Sequence, residues 1–343
     1  MNITISDKWN EYLEEFPVSG RDIYFYEEYV KLYENEECMA LCAVCEEDRK
    51  LLLMPFLQRK IGAWYDFETA YGYGGPISNI SDRLWWAKAF GGMKQHFAEH
   101  SYVCGFTRFH PLLGNAVLYE YTGNEENVIY DRQTVVVDTS QTEQNIWMSQ
   151  ISSKNRNMVR KAEKNELIYK SEFDFESLEE FKVLYRETMK RLQADSFYFF
   201  DSTYFEKFIY NLKDKAFLGT VRKDGKLVCG ALFMYSDYFG HYHLEGSDHD
   251  YCGLGANNYL LWKAACEMHR MGIREFHLGG GTEASPQNSL FKFKKAFSSN
   301  VREFFIGKDV FNKSVYYELC SEWERKNIDK SIKYGNRLMK YRY

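Results

Sequence analysis

The Asp-Gly pair at Asp224–Gly225 is the feature that most constrains the fold, because it separates two apolar runs. "FLGTVR" begins at Phe217, and "LVCGALFMY" ends at Tyr235. An Asp-Gly pair between such runs is the strongest local signal of a two-residue β-hairpin, since both turn residues need a positive φ. The stretch therefore predicts two antiparallel strands.

The residues that follow predict a crossover back to the same sheet. "GHYHLEGS" has the composition of a third strand and "IREFHLGG" that of a fourth. Between them, "GANNYLLWKAACEMHRMG" predicts a helix that ends at Gly272. Its apolar stripe comprises Leu260, Leu261, Ala264, Ala265 and Met268. A hairpin that leads into strand–helix–strand is typical of an α/β domain.

The first half of the chain repeats this order of elements, although not the residues themselves. "MALCAVC", "LLLMPFLQRK", "AWYDFETA" and "YVCGFTRF" are the predicted strands, and residues 82–98 are the predicted helix. We therefore predict an α/β fold with two domains, each a mixed sheet flanked by helices, at residues 1–147 and 148–300. Residues 301–343 are too few for a third domain and are expected to pack back on the first.

Charge and hydropathy narrow the class of protein. The N-terminus has no basic region followed by an apolar run, and no apolar stretch has the length of a membrane span, so we expect a cytoplasmic protein. The net charge is −5, but the C-terminal stretch is basic: residues 325–343 contain seven cations, and Asp329 is the one acid among them. A solvated helix face explains such a run, and an anionic partner such as RNA or a membrane surface is the alternative.

A second basic stretch, "SSKNRNMVRKAEKN", begins at Ser152 and predicts a helix. Arg156, Arg160 and Lys164 recur every four residues and would share one face. A solvated face is one explanation, and binding of a phosphate-bearing substrate is the other. Arg156 and Arg160 are therefore candidate substrate-binding residues.

Two stretches of the first half are further candidates for holding an anionic substrate. The stretch "AYGYGGPISN" contains Tyr73, Gly74 and Gly75. Its glycines permit a positive φ and close approach of the backbone to a ligand. A structural turn would use the same residues. "RFHPLLGN" adds Arg108 and His110.

The predicted crossover helix begins with a glycine motif. In "DYCGLGANN", Gly253, Gly255 and Ala256 stand where free backbone N–H groups suit a pyrophosphate. The motif resembles the coenzyme A loop of acetyltransferases, which usually has Gln or Arg where this chain has Asp250. Because an aspartate repels a diphosphate, the match is partial.

The strand before that motif carries ionisable residues. Alternation in "HYHLEGS" predicts His241, His243 and Glu245 on one side of the strand. Glu245 is the candidate general base, and His243 a candidate substrate contact. A zinc site would lack a defined fourth ligand, so we predict no metal ion.

Phenylalanine and lysine alternate in "LFKFKKAFSSN", which follows the glycine run "LGGG" by a short interval. In an extended segment Phe291 and Phe293 would point one way, and Lys292 and Lys294 the other. An edge strand protected by lysines would have this pattern. A lysine held rigidly at a site by aromatic neighbours would have it too.

Taken together, the chain resembles the Fem-type aminoacyltransferases that build peptidoglycan bridges, which consist of two GNAT-like acyltransferase domains. "SKNRNMVRKAEKN" is like the family's K-x-R-N-x-x-[RK]-K-A-E-K element, and "LFKFKKAFS" is like its F-K-x-x-F element. The resemblance implies that Phe293 contacts substrate and that Lys294 stabilises negative charge on the acyl carbonyl. Tyr198 is a further substrate-binding candidate.

The chain also departs from that family. Gly74-Gly75-Pro76 stands where an Arg-Gly-Pro element is common, and the long helical arm that some members use to bind tRNA has no counterpart. The resemblance nevertheless implies transfer of an aminoacyl group, with aminoacyl-tRNA as donor, to an amine of a peptidoglycan or surface-glycan precursor. It implies no cofactor, and it implies peripheral contact with a membrane-bound, lipid-linked substrate.

Two other functions stay open on the sequence. The Gly253–Ala256 loop would suit an acyl-CoA-dependent N-acetyltransferase acting on a nucleotide- or lipid-linked sugar. A binding module for lipid-linked glycans without catalytic activity is the third possibility, because fold alone does not imply activity.

Overall fold

The computed structural model describes residues 1–122 and 125–343. Its strands, in chain order, are β1 (Asn2–Ser6), β2 (Cys38–Glu47), β3 (Lys50–Ile61), β4 (Trp64–Glu68), β5 (Ile77–Ser78), β6 (Tyr102–Arg108), β7 (Val128–Asp138), β8 (Ile168–Glu172), β9 (Ala216–Lys223), β10 (Lys226–Tyr235), β11 (Phe239–Ser247), β12 (Glu275–Gly280) and β13 (Val301–Val310). Its α-helices are α1 (Asn10–Leu13), α2 (Glu27–Val30), α3 (Arg83–Glu99), α4 (Glu143–Asn145), α5 (Ser153–Lys164), α6 (Leu178–Arg191), α7 (Ser202–Leu212), α8 (Ala256–Arg270), α9 (Ser289–Lys295), α10 (Lys313–Lys326) and α11 (Ser331–Tyr334).

Shorter helical turns connect these elements. A π-helical turn spans Ile146–Gln150. The 3₁₀ turns are Val18–Gly20, Ile23–Phe25, Lys31–Tyr33, Asn115–Tyr121, Glu125–Asn127, Ser196–Tyr198, Lys213–Lys215, His249–Leu254, Ile328–Lys330 and Lys340–Arg342. In the described ranges 1–122 and 125–343, no helix has both the length and the apolarity needed to cross a bilayer.

The chain divides into two compact units. Unit 1 comprises Met1–Asp131 and Glu303–Tyr343, and unit 2 comprises Arg132–Arg302. The first boundary therefore lies before the predicted one at 147. The reason is that β7 pairs antiparallel with β12, through Thr134 to Asp138, and so belongs to the sheet of unit 2. Such long-range pairing leaves no mark in the local sequence.

In unit 1 the strand order is β1-β2-β3-β4-β6-β13, and β5 pairs with β3. β4 and β6 are parallel, and α3 forms the crossover between them. Asp82 begins α3, since its Oδ1 accepts hydrogen bonds from the N–H groups of Leu84 and Trp85 at 3.1 Å. The buried face of α3 packs on the aromatic core formed by Phe56, Phe67 and their neighbours. The C-terminal segment adds β13, which pairs antiparallel with β6.

Unit 2 has the same order of elements. Its strands run β7-β12-β11-β10-β9-β8, with β11 and β12 parallel and α8 as the crossover. The predicted hairpin is present, and Asp224 and Gly225 both have a positive φ, of 50° and 82°. Mixed sheets flanked by helices, in an order used twice, are therefore the fold that the sequence predicted.

Helices cover both faces of the unit 2 sheet. Cys229, Ala231 and Phe233 of β10 lie in one buried cluster with the apolar stripe of α8. On the other face α6 approaches Gly246 so closely that a Cβ there would lie 2.7 Å from the backbone nitrogen of Tyr185. A residue of β11 can therefore be assigned to the α8 face or to the α6 face of the sheet by the helix that it contacts.

Candidate active site

The lysine-rich segment is a helix, α9, and not the extended segment that its alternation predicted. Asn288 begins the helix, because its Oδ1 accepts a hydrogen bond from the N–H of Phe291 at 3.1 Å. Helical spacing then puts Phe291 and Lys294, three residues apart, on the buried face. Lys292 is exposed instead. The two lysines therefore have different environments, which alternation along a strand would not give them.

Lys294 is buried, with 8% of its surface exposed. Its Nζ donates a hydrogen bond to the carbonyl oxygen of Gly280 at 2.8 Å and lies 5.6 Å from the ring centroid of Tyr242. Burial lowers the pKa of Lys294 to about 8; the charge of Glu245 opposes this shift, and that of Arg132 adds to it. Within the described residues, no carboxylate lies within ion-pairing distance of Nζ.

The glycine run explains how a lysine and an arginine reach the backbone here. A Cβ on Gly280 would lie 2.8 Å from the carbonyl oxygen of Gln133, and one on Gly281 would lie 2.4 Å from Oδ1 of Asn288. Side chains are therefore excluded at both positions. Arg132 Nη1 donates to the carbonyl oxygen of Gly281 at 2.7 Å, so two cations meet two successive carbonyls.

Glu245 is the acidic group of the same site. It is half-buried in β11, and its Oε1 accepts a hydrogen bond from Asn257 Nδ2 of α8 at 2.8 Å. Cys229 Sγ lies 3.8 Å from that oxygen. Burial raises the pKa of Glu245, while the charges of Arg191 and Lys294 act in the opposite direction. A carboxyl with a raised pKa beside a lysine with a lowered one is a pattern found at catalytic sites.

His243 does not share a face with Glu245, contrary to the alternation in the sequence. The pairing of β10 with β11 shifts at this point, since Leu232 pairs with Leu244 and Phe233 pairs with Tyr242. His243 is thus the extra residue of a β-bulge. It lies on the α6 side, with Nε2 2.7 Å from the hydroxyl of Tyr204, while Glu245 contacts α8.

Around this bulge His241, Tyr242 and His243 have different environments. Burial lowers the pKa of His243 to about 3, so its imidazole is neutral at physiological pH. Tyr242 is turned to the side of Glu245 and Lys294, and burial, followed by the charge of Glu245, raises its pKa well above 10. His241 is buried beside His277, with ring centroids 5.6 Å apart. The site facing α8 therefore contains Tyr242, Glu245 and Lys294 without these histidines.

The glycine motif begins α8 as predicted, with Gly255 in the left-handed region at φ 84°. A Cβ on Gly255 would lie 2.4 Å from the carbonyl oxygen of Met158, so this glycine admits the backbone of α5. Its N–H already donates to the carbonyl of Cys252. Gly253 faces open space, and Ala256 is buried. Close helix packing accounts for Gly255 without a ligand.

The two candidate arginines of α5 differ from each other. Arg156 Nη1 donates to the carbonyl oxygens of Trp147, Met148 and Ile151, so its guanidinium closes the π-helical turn. Arg160 is exposed, contacts Asn157 Oδ1 at 3.1 Å, and lies 5.6 Å from the ring of Trp147. Arg160 thus has the accessible charge of the pair.

The candidates of unit 1 lie close together, within one turn-rich region. Tyr73 packs edge-to-face on His110, with ring centroids 5.8 Å apart. Gly74 is bridged to Phe109. The amide of Asn115 donates to the carbonyl of Gly74 at 2.8 Å. Gly75 has a φ of 88°, and a Cβ there would lie 3.0 Å from Nδ2 of the same Asn115. These glycines serve a fixed turn.

Arg108 and His110 have partners within unit 1. Arg108 donates to Glu68 Oε2 at 3.0 Å and to the carbonyl of Thr69 at 2.8 Å. His110 is buried, and its Nε2 lies 2.6 Å from Oδ2 of Asp22. Its Nδ1 accepts from the N–H of Leu113, so the proton is on Nε2 and is donated to Asp22.

Tyr198 and Phe293 lie in aromatic surroundings within unit 2. Tyr198 is 39% exposed and packs edge-to-face on Phe197, and its carbonyl accepts from the hydroxyl of Tyr185 at 2.7 Å. Phe293 is half-buried and packs edge-to-face on Phe297. Phe293 is next to Lys294 in α9, whereas Tyr198 lies among residues of the α6 side.

Sequence reasoning missed Arg132, Tyr242 and Asn257, which contact or face the Lys294 site. Asn257 stands inside the quoted glycine motif and Tyr242 inside "HYHLEGS", and the β-bulge beside Tyr242 has no local signature. Arg132 comes more than a hundred residues before its partner Gly281. Its signal is the pairing of β7 with β12, which only the folded structure provides.

A family model described as an acetyltransferase (GNAT) domain matches residues 152–295. The match includes α5, Glu245, the glycine motif of α8 and Lys294. No curated protein sequence matches the chain.

The chain is also similar to solved structures along most of its length. The crystal structure of FemX is 14% identical, with a TM-score of 0.73, and the match covers 93% of this chain and 99% of that one. The C-terminal domain of a putative lysylphosphatidylglycerol synthetase from Agrobacterium fabrum is 13% identical, with a TM-score of 0.56 and coverage of 90% and 94%. A tandem GNAT protein from the clavulanic acid biosynthesis pathway is 8% identical, with a TM-score of 0.53 and coverage of 91% and 99%.

Likeness at this level of identity concerns the fold, and the family match concerns the second half of the chain. The site built on α9, β11 and β12 lies within the matched residues. Residues 152–295 are a GNAT-type acetyltransferase domain, and the protein is an acyltransferase.

Proposed function

We propose that the protein transfers an aminoacyl group, from aminoacyl-tRNA, to an amine of a peptidoglycan or surface-glycan precursor. The observation that carries the proposal is the buried Lys294, whose ammonium faces Tyr242 and lies in the field of Glu245. The fold of FemX and of a putative lysylphosphatidylglycerol synthetase supports an aminoacyl donor. A cytoplasmic location, where charged tRNA is present, belongs to the same proposal.

Lys294 would act on the acyl carbonyl. One of its three N–H donors bonds the carbonyl of Gly280, which fixes the ammonium and leaves two donors for substrate. As the amine attacks, negative charge develops on the acyl oxygen, and a cation in a site of low dielectric stabilises that charge strongly. The ester C–O bond of the donor then breaks as the amide bond forms, and the ester oxygen leaves on the tRNA as a hydroxyl group, taking up the proton that Glu245 has accepted from the amine.

Glu245 would accept the proton that the attacking amine loses. Its raised pKa makes it a better proton acceptor than an exposed carboxylate at the same pH. The hydrogen bond from Asn257 fixes one oxygen of the Glu245 carboxyl group. His243 is less suited to this role for two reasons. Its pKa of about 3 makes it a weak base, and its contact with Tyr204 of α7 places it on the side of the sheet away from Lys294.

For the precursor, the accessible charge of Arg160 is the proposed contact within unit 2. Arg156 is a structural residue in this proposal, since backbone carbonyls already bind its guanidinium. Tyr198 and Phe293 are proposed apolar contacts, because each has an exposed or half-exposed ring.

Acyl-CoA is the alternative donor, and one observation favours it: Gly253 faces open space before the N-terminus of the long helix α8. Two observations weigh against it. The backbone of Met158 covers Gly255, and Asp250 brings negative charge to the same loop, where the carboxylate of Asp248 is already paired with Lys226. A diphosphate would bind poorly beside the carboxylate of Asp250.

The test is a pair of reconstitutions with one amine-bearing peptidoglycan precursor as acceptor. In the first, charged tRNA is the donor, and in the second acetyl-CoA replaces it. We expect product by mass spectrometry with charged tRNA and none with acetyl-CoA. Product with acetyl-CoA alone, together with a rise in Tm on adding coenzyme A, would overturn the proposal in favour of an N-acetyltransferase.

A further inference from the structure

A cleft of about 390 Å³ lies between the edge strand β8 and the helix α8 of unit 2. Side chains of β8, of α8 and of Phe173 line it. Its volume is within the range of sites that bind small molecules. The strands β9, β10 and β11 lie between β8 and β12, and it is β12 whose Gly280 binds Lys294. The cleft is therefore separate from the candidate active site.

The β8 side of the cleft combines hydroxyl groups with aromatic surface. The hydroxyl of Tyr169 lies 2.9 Å from Oγ of Ser171, which donates a hydrogen bond to Oε2 of Glu267 at 3.3 Å. Phe173 follows the strand, packs on Phe217 with ring centroids 5.4 Å apart, and is 44% exposed. Its ring therefore offers apolar surface to a molecule in the cleft.

The two cations of the α8 side differ in what they are bound to. Arg270 pairs with Glu267 at 2.6 Å and with Glu143 at 3.2 Å, so its charge is compensated. Lys263 has its Nζ 5.3 Å from the ring centroid of Tyr259, and in the part of the chain that the structure describes no carboxylate lies within ion-pairing distance of it. Lys263 is therefore the cation that the cleft offers to an anionic ligand.

Glu267 places a negative charge next to this cation. Lys263 and Glu267 are four residues apart on α8, so their side chains are neighbours on one face of the helix. Within the described residues, the hydrogen bonds that Glu267 accepts, from Arg270 and Ser171, both end on Oε2. Oε1 is thus the oxygen that a ligand would meet. A cationic and an anionic group lie one helical turn apart, and they do not pair with each other.

We propose that this cleft binds a free aromatic α-amino acid, with its carboxylate on Lys263, its ammonium group on Glu267 and its ring beside Phe173. An α-amino acid has both charges on one carbon, which matches two opposite charges at neighbouring positions of a helix. Its ring would pack on that of Phe173 as aromatic pairs do. A nucleotide is less suited, because its phosphate brings up to two negative charges, whereas Arg270 is already paired.

The inference goes beyond the acyl transfer proposed above and does not depend on it, since binding is measured without tRNA, coenzyme A or an acceptor. The test is an NMR titration of the full chain with L-phenylalanine. We expect saturable binding with a Kd on the order of 1 mM, the strength that a ligand of this size commonly reaches. 3-Phenylpropionate, which lacks the ammonium group, and phenethylamine, which lacks the carboxylate, should each bind at least about tenfold more weakly.

Matched variants test the residues of the cleft. Lys263→Gln should weaken binding of L-phenylalanine by about tenfold or more, because a charge-assisted hydrogen bond is lost. Lys161→Gln is its control, since Lys161 is an exposed cation of α5 outside the cleft. Phe173→Leu should weaken binding by about fivefold, the value of one aromatic pair. Tyr210→Leu, at a position of α7 that is 85% exposed, is the control for loss of a ring, and neither control should change binding.

Two outcomes with the native protein would overturn the proposal, whatever the stability of the variants. One is the absence of saturable binding of L-phenylalanine, and the other is equal affinity for 3-phenylpropionate, which would remove Glu267 from recognition. Tighter binding of adenosine monophosphate than of L-phenylalanine would assign the cleft to a nucleotide instead. Native affinity in Lys263→Gln, with a native circular dichroism spectrum, would place the amino acid elsewhere and contradict the proposal.

Discussion

Asp66 in unit 1 and Lys294 in unit 2 are both buried ionisable residues, yet they are stabilised differently. Asp66, fully buried, forms ion pairs with Arg59 at 3.0 Å and with Arg342 at 2.9 Å. Lys294 forms its hydrogen bond with the neutral carbonyl of Gly280. The charge of Asp66 is thus compensated by two arginines. The charge of Lys294 is buried, and among the described residues no carboxylate pairs with it.

The difference indicates which unit contains the chemistry. A compensated buried charge belongs to the framework, because removing its partner is costly and its pairing serves the fold. An uncompensated cation lowers stability, and such a residue is expected where its charge acts on a substrate. Unit 2, which includes the residues of the GNAT domain, is therefore where we expect acyl transfer to occur.

The largest effect is expected from Lys294→Met in the acyl-transfer assay. Turnover should fall by roughly 10²–10³, the usual loss for one donor to a developing oxyanion. Acceptor affinity should change less, because the contact strengthens in the transition state. Steady-state kinetics of kcat and KM measure both.

Lys292→Met is the control for that variant, since Lys292 is exposed on another face of α9. It should keep turnover near the native value. Equal loss in both variants would assign the lysines to general binding of an anionic substrate, and no loss in either would remove Lys294 from the mechanism.

The second effect concerns stability and pH. The pKa of Lys294 is about 8 in the folded protein and about 10.5 when unfolded, so between these values the unfolded chain binds more protons and stability rises with pH. Below pH 8 the buried charge costs about 3 kcal/mol. Relative to the native protein, Lys294→Met should therefore be most favourable below pH 8 and lose that advantage towards pH 10.5.

Urea unfolding of both proteins at several pH values measures this difference, in which other titrating groups largely cancel. The carbonyl of Gly280 loses its donor in the variant, which offsets about 1–3 kcal/mol of the gain. The pH dependence of the difference is unaffected by that offset. A difference that stays constant from pH 7 to 10.5 would contradict burial as the cause of the lowered pKa.

The third prediction concerns Asp66, whose replacement should lower stability, in contrast to the replacement of Lys294 below pH 8. Asp66→Asn leaves Arg59 and Arg342 without their common partner, and we expect a loss of about 2 kcal/mol in the free energy of unfolding. This is below the 3–5 kcal/mol of a fully buried pair, because both guanidiniums are partly solvated. Turnover of the folded variant should be nearly native. Asp131→Asn, at a half-buried position elsewhere in unit 1, is the comparison for the substitution itself.

Much of the fold could be predicted from local sequence. The Asp-Gly turn, the stripe of α8 and the repeated element order depend on residues near one another, and the structure has all of them. Glu245 and the glycine motif of α8 were found as candidates by their position in these elements, and Lys294 by the resemblance of "LFKFKKAFS" to the F-K-x-x-F element of a known family.

Two features that the sequence analysis missed depend on contacts between distant residues, and one does not. The bulge at His243 is set by the pairing of β10 with β11. The helical form of α9 has a local signal, the N-cap Asn288 three residues before Phe291, which the alternation of phenylalanine and lysine obscured. The assignment of β7 to unit 2, and with it the position of Arg132, requires pairing with β12. Alternation of residue types contains none of this information.

The smallest expected effect distinguishes the two arginines of α5, both of which the sequence predicted to bind substrate. Arg156→Gln removes hydrogen bonds to the carbonyls of Trp147, Met148 and Ile151, and should lower the free energy of unfolding by about 1–2 kcal/mol. Arg160→Gln removes an exposed charge and should change stability by less than about 0.5 kcal/mol. Binding of an anionic precursor should show the reverse order: Arg160→Gln weakens it and lowers its dependence on salt, because one fewer phosphate contact is made. If Arg156→Gln weakened binding more than Arg160→Gln while stability stayed native, the guanidinium of Arg156 would have to leave the π-helical turn to meet the substrate. The distinction between compensated and available charge would then fail on α5, and with it the reason for assigning the two arginines different roles.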